Sequence, residues 1–393
     1  MEPSARRSWV QAGLLACLIA CDGDDRDMMS QPIDAGDRPD AADAAGFAWN
    51  LPSGFPEPVV PNSNPMTDAK VELGRRLFYD KRLSGNETQS CGSCHKQALA
   101  FSDGRATALG STGELHPRGS MSLVNLAYAA SLTWANPLFA IGVLPEPLAR
   151  QTQLPLYGDA PIELGLKAQS QPVLRLREIA LYRELFAAAF PEDPEPVNAS
   201  NIGAALAAFE RVLISGDSPY DRFLRGDPAA LSGAQQRGEA LFKSERLRCA
   251  QCHSGFNLSE HVHWRGKEEI ALRYRNTGLY NVDGEGGYPA PNTGAFDVTM
   301  EPSDMGKFKV PTLRNVALTA PYMHDGSIAS LSEVIDHYAA GGRAGRDNPL
   351  KDPLVSGFEL TREEREDVIA FLEGLTDQAF ITNPAFADPW ESE

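Results

Sequence analysis

The stretches CGSCH, from Cys91 to His95, and CAQCH, from Cys249 to His253, each set two thiols one helical turn apart with an imidazole directly after the second. Thiols so spaced can add to the two vinyl groups of a haem while the imidazole reaches one face of the iron, so the pattern reads as a c-type haem attachment. A zinc site or a redox dithiol is the other chemistry open to paired cysteines. A zinc ion would take all four thiolates and leave the histidine after each pair unexplained. Of the 6 cysteines, Cys17 and Cys21 lie in an apolar N-terminal run and the pentads use the rest, which leaves none for a disulfide. Two covalently bound haem c groups are expected, with His95 and His253 each on one iron. What fills the opposite face decides whether such a haem carries electrons, binds a small ligand or stores oxidising equivalents.

Each pentad follows the same plan of elements. Before the first, TDAKVELGRRLFYD carries Val, Leu and Phe at helical spacing behind a Thr or Asp cap; before the second, LSGAQQRGEALFK repeats this behind a Ser cap and ends in Leu241 and Phe242. The two copies lie too far apart for a solenoid and suit tandem domains. LREIALYRELFAAAF and NIGAALAAFERVLIS read as further apolar helices, with Gly216 to Pro219 as a junction. The segment RNTGLYNVDGEGGYPAPNTG predicts a long loop packed over something, and regular strands are hardly indicated. The expected fold class is mainly α: an N-terminal cytochrome c domain over 51–215 and a C-terminal one over 216–393, with long irregular loops.

The 393-residue chain is 42% hydrophobic and 23% charged, an ordinary globular composition, and its formal net charge of -17 speaks against a nucleic-acid partner. Arg6 and Arg7 followed by SWVQAGLLACLIA have the charged and apolar regions of a secretory signal, and the run is short for a membrane span. It ends in LIAC, which resembles a lipobox, so residues 1–20 are expected to be cleaved and Cys21 to become an acylated N-terminus. That places the protein in the periplasm with a lipid anchor as its only membrane contact. The Asp- and Ala-rich stretch over 21–50 is expected to be a disordered tether.

Together LGRRLFYDKRLSGNETQSCGSCH, FSDGRATALG, CAQCHSGFN and FKVPTLRNVALTAPYMHDGS resemble the di-haem bacterial cytochrome c peroxidase and MauG superfamily, a likeness that runs from Leu51 to Phe380. Within it, HPRGSMSLVNLAYAASLTWANP, PLYGDAPIELGL and the Gly-rich loop look most like the MbnH-type subgroup. The resemblance implies a high-spin haem on His95 that reacts with hydrogen peroxide and a low-spin haem on His253. In EVIDHYAAGG the position of the peroxidases' Met ligand is Tyr338, as in MauG-type members. An anionic phenolate would favour oxidised iron, whereas a thioether would favour ferrous iron. His337, Met323 and Met305 are the other candidates for that ligand, and adjacent helical residues point about 100° apart, so His337 and Tyr338 exclude one another.

Further roles follow from the same resemblance. Glu163 is implied as the acid-base group that moves a proton between the peroxide oxygens, with Gln151 in support. Trp134 is implied as the relay between haems, although the sequence after it departs from the W-D-G-R common in the family. Ser111 stands where many peroxidases carry a displaceable His, which leaves the peroxide side open, and His116 reads as a surface or propionate contact. A calcium ion is implied on the carbonyls of Thr319 and Pro321, while the position of its side-chain Asn is Gly119. The function implied is peroxide-driven formation of a high-valent, bis-ferryl-type state that oxidises an exported partner protein, a Trp to kynurenine on a copper-binding partner in the MbnH subgroup. The alternatives are a cytochrome c peroxidase drawing electrons from a small cytochrome or cupredoxin, and an electron carrier with two six-coordinate irons.

Overall fold

In the computed structural model, which describes residues 47–390 except 141, 144, 145, 268, 271 and 344–347, the helix before the first pentad is α1 (Asp68–Tyr79). It starts where the Thr67 side chain accepts the Lys70 N–H at 3.2 Å, satisfying one of the donors that a helix start leaves free. It crosses α2 (Ala199–Arg211), which Asn198 caps in the same way. The crossing is close enough that a Cβ on Gly74 would lie 2.0 Å from the Ala205 carbonyl oxygen, so glycine is required there. The second pentad repeats the arrangement. Here α3 (Gly233–Lys243), opened by a capping box of Ser232 and Gln235, is followed by α4 (Leu331–Ala339) and crossed by α5 (Arg362–Glu373). A Cβ on Gly238 would lie 1.9 Å from the Asp367 carbonyl oxygen. Gly74 and Gly238 hold the same place before Leu77 and Phe78, and before Leu241 and Phe242, so the sequence duplication is a duplicated helix crossing.

Each crossing has its own apolar core. One gathers Leu73, Leu77, Phe78, Phe101, Leu206 and Phe209; the other Phe242, Leu258, Ile335, Val368 and Phe371. Buried polar groups join them. The Asp377 carboxylate accepts Ser215 Oγ–H and the Gly216 N–H at 3.0 Å each and the Asp217 N–H at 2.9 Å. Asn125 and Asn315, both fully buried with φ of 57° and 60°, head matching 3-10 turns. Asn125 Nδ2 donates to Asn257 Oδ1 at 2.9 Å, and Asn315 Nδ2 to Ser215 Oγ at 3.0 Å. Such pairing matters because a buried polar group left alone costs about 1–3 kcal/mol.

Two expectations need correction. The helix expected over LREIALYRELFAAAF starts later than its first residues: Leu176 and Arg177 close a preceding helix, Ser170–Arg177, Ile179 is extended at φ −97°, ψ 119°, and the expected helix is Ala180–Ala189. The break gives the two helices separate tasks. Arg175 donates to the Arg82 and Ser84 carbonyls at 2.8 and 2.7 Å, while Tyr182 turns into the core and its hydroxyl bonds Asp80. The tether expected to reach residue 50 stops earlier, because Phe47 and Trp49 pack against Met66 and Ala208 and Trp49 is only 6% exposed. The signal over 1–20, Cys21 and the rest of the tether lie outside the described residues. Among the described residues there are isolated bridges and no regular strand, and no helix is long and apolar enough to cross a membrane.

Candidate haem sites

His95 Nδ1 lies 2.8 Å from the Phe101 carbonyl oxygen and His253 Nδ1 lies 3.2 Å from that of Leu258. A carbonyl only accepts, so Nδ1 carries the hydrogen in both rings and Nε2 is left with a lone pair for a metal. Phe101 and Leu258 both adopt positive φ, 59° and 49°, which turns their carbonyls onto the rings. Burial lowers both imidazoles, keeping them neutral. The four pentad thiols are free. Burial pushes Cys94 and Cys252 up to about 11 and Cys249 up to about 12, and Cys91 higher still. They are neutral thiols, with no disulfide to break before addition to a vinyl group.

A cavity of about 300 Å³ is lined by Cys249, Cys252 and His253 and also by Tyr338, Met323 and Trp134. Tyr338 projects from α4, and burial followed by the nearby Cys249 and Cys252 sulfurs raises its phenol. His337 is turned elsewhere, with Nε2 3.0 Å from the Thr277 carbonyl oxygen and its ring at 79° to that of Tyr338. Of the two adjacent candidates it is Tyr338 that lines the cavity. Met323 lines it too; Met305 instead packs with Tyr288 and Phe308. The Trp134 indole N–H donates to the Gly119 carbonyl at 2.9 Å and its own carbonyl accepts the Lys309 N–H at 2.8 Å. The cavity wall also carries His261, 2% exposed with neither ring nitrogen paired, and Lys309, which burial pushes down to about 8. Free thiols, a lone-pair imidazole and, on an apolar wall, the unpaired His261 ring and the buried Lys309 amine, which donates to the Ser131 carbonyl at 3.1 Å, fit a haem with its two carboxylate arms.

At the first pentad the sequence-expected groups are only partly assembled. The Glu163 carboxylate is close enough to raise His95, Cys91 and Cys94 electrostatically. Ser111 holds its loop: the Ser111 N–H donates to the Glu163 carbonyl at 2.7 Å and Oγ to the Leu164 carbonyl at 3.2 Å. His116 Nε2 lies 3.2 Å from Glu163 Oε1, so its partner is a carboxylate of the protein. Gln151 ends the short helix Pro147–Gln151 and, among the described residues, makes no hydrogen bond to Glu163 or His95. Sequence reasoning missed Glu210. It is 6% exposed, its Oε2 is unpaired, it acts electrostatically on Cys91, and burial, partly offset by Arg211, pushes it up to about 8. Its neighbour in sequence, buried Arg211, is the only local sign of a special site. The implied calcium ligands Thr319 and Pro321 line the same cavity as Gly119, but the Gly119 carbonyl is taken by Trp134. Among the described residues no three His, Cys, Asp or Glu side chains form a metal-binding group.

Family comparisons agree with this architecture. A family model for di-haem cytochrome c peroxidase matches residues 68–229, and one for cytochrome c matches 235–376. The chain belongs to the di-haem cytochrome c peroxidase and MauG family: it is a peroxide-dependent oxidoreductase with two tandem cytochrome c domains and two covalent haem c groups. It is 36% identical to cytochrome-c peroxidase IdrP1 of Denitromonas iodatirespirans, over 88% of this chain and 91% of that protein. It is 35% identical to methylamine utilization protein MauG of Methylorubrum extorquens, over 82% and 83% respectively. It is also similar to the crystal structure of a MauG-like protein associated with microbial copper homeostasis, with TM-score 0.84 and 48% identity over 88% of this chain and 100% of that one.

Proposed function

We propose that this protein is an exported, lipid-anchored enzyme that uses peroxide to oxidise a Trp side chain on a copper-binding partner protein. The observation that carries the reading is the Tyr338 phenol lining the cavity with Cys249, Cys252 and His253. An oxygen donor there suits a centre that holds oxidising equivalents, and a peroxidase drawing on a small electron donor would want a thioether instead. The likeness to a protein associated with copper homeostasis supports the choice of partner.

The haem on each pentad, when bound, supplies the iron that reacts with peroxide or stores the resulting oxidising equivalents. His95 and His253 would hold the two irons through Nε2, and Tyr338 would supply a second donor on the His253 side. Glu163 takes the proton from the inner oxygen of peroxide and delivers it to the departing one, acid-base work that contributes about 10²–10⁴-fold. Gln151 is kept as a supporting group on the resemblance alone. Trp134, set on the wall of the cavity at the second pentad and fixed through both its indole N–H and its carbonyl, would relay electrons between the two haems. Two peroxide molecules take four electrons and four protons from one indole and two waters and leave as four waters; the two water oxygens end on C2 and C3 as the C2–C3 bond breaks, giving N-formylkynurenine, and hydrolysis of its formyl group releases formate and leaves kynurenine. Calcium, if it binds at the Thr319 and Pro321 carbonyls, needs water for the rest of its shell.

The test mixes holoenzyme with peroxide and exported copper-binding proteins encoded beside it, then maps partner mass by peptide. A Trp converted to kynurenine supports the reading. Unchanged partner Trp together with steady turnover on a small cytochrome or cupredoxin overturns it in favour of a cytochrome c peroxidase.

A further inference from the structure

His116 has no part in the mechanism above, yet the fold brings it to Glu163 from a different loop. The His116 N–H donates to the Ala108 carbonyl and the Gly110 N–H to that of Glu114, both at 2.8 Å, closing a hairpin around the Leu109 and Leu115 bridge. That hairpin is fastened to the Glu163 loop at several points. The Ile162 N–H donates to Glu114 Oε2 at 3.0 Å, the Ser111 N–H to the Glu163 carbonyl at 2.7 Å, and a Cβ on Gly110 would lie 1.8 Å from the Ile162 carbonyl oxygen. The two backbones therefore hold His116 and Glu163 within reach of one another. Nε2 of His116 is buried, 3.2 Å from Glu163 Oε1 but off the line of a full hydrogen bond, and has no other partner. The Glu163 side chain is 40% exposed, so its three torsions are otherwise weakly held, and freezing such a side chain costs about 1.5–2 kcal/mol. Glu114, the other carboxylate on the hairpin, is already committed to Ile162.

We propose that His116 is a positioning residue for Glu163, engaging Oε1 so that Oε2 is left to exchange the proton with peroxide. This rests on the reading of Glu163 as the acid-base group of the first haem. A misplacement of about 1 Å in a catalytic group can cost about 10²-fold, so a partial loss of hold is expected to cost about 10-fold.

The experiment follows the haem absorbance change after rapid mixing of holoenzyme with a range of peroxide concentrations, for wild type, H116A, H116Q, E163Q and the double variant H116A/E163Q. Resting absorption spectra matching wild type establish that each variant is folded and loaded. E163Q is expected to lower the limiting rate about 10²-fold. H116A is expected to lower it about 10-fold with the half-saturating peroxide concentration unchanged, and H116Q, whose amide nitrogen has similar reach, to restore most of it. The double variant should be no slower than E163Q alone, because the two residues act through one group. H116A at the wild-type rate, or a double variant that multiplies the two losses, overturns the positioning role while leaving Glu163 in place. E163Q at the wild-type rate overturns the acid-base reading itself, and the positioning role with it.

Discussion

At His95 and at His253 the chain uses one device: a C-x-x-C-H turn, a buried neutral imidazole, and a carbonyl from a residue of positive φ that fixes the ring hydrogen on Nδ1. Behind each stands the same glycine-mediated helix crossing. The opposite sides part company. On the first, two hairpin loops bring a half-exposed Glu163 and His116 together, with Glu210 buried near Cys91. On the second, the α4 helix sets a buried phenol against the cavity. Duplication supplied two equal haem attachments, and the chemistry was divided by residues outside the duplicated plan.

The sharpest way to break the comparison is to remove one attachment at a time. C91S/C94S should abolish the peroxide reaction, whereas C249S/C252S should leave peroxide reactivity at the first haem and abolish partner oxidation; intact mass and peroxide-induced absorbance changes report both. Equal consequences from the two pairs would mean that the sites are interchangeable. W134F should keep the initial peroxide reaction near the wild-type rate and severely lower the yield of oxidised partner, read by peptide mass. A yield equal to wild type would remove Trp134 from the path between the sites.

The smallest effect concerns stability. Burial raises Glu210 to about 8, above the roughly 4.3 of an exposed Glu, so between these values the native state holds a proton that the unfolded chain has released. Its contribution is fully present below about pH 4 and is lost as pH rises through about 8. E210Q cannot ionise, so its unfolding free energy in urea should exceed that of wild type at pH 8 and match it only near pH 4, the difference at pH 8 being on the order of a few kcal/mol at most. A wild-type and E210Q difference that does not vary with pH would show that Glu210 carries no such proton.

The parts readable in the sequence are those whose chemistry is local. The pentads, the caps at Thr67 and Ser232 and the repeated helices depend on residues a few positions apart, and they stand where expected. Tyr338 is only half legible: helical rotation makes it and His337 exclusive, and Thr277, on a distant loop, takes the His337 ring and leaves Tyr338 on the cavity wall together with Met323. The His116 contact with Glu163 was invisible because it depends on two loops whose backbones are pinned to each other. Gln151 shows the converse, a role implied by likeness that no described hydrogen bond supports. Asn125 and Asn315 share a left-handed backbone that makes a second pair of equivalent turns, set by contacts far apart in the sequence.

The asymmetry between the sites is tested most directly by Y338F, comparing the optical bands, magnetic resonance and redox midpoint of the His253 haem with wild type. Loss of the phenol oxygen should shift those bands and raise the midpoint, with the His95 haem unchanged. Bands and midpoint identical to wild type would place another ligand opposite His253 and contradict the account.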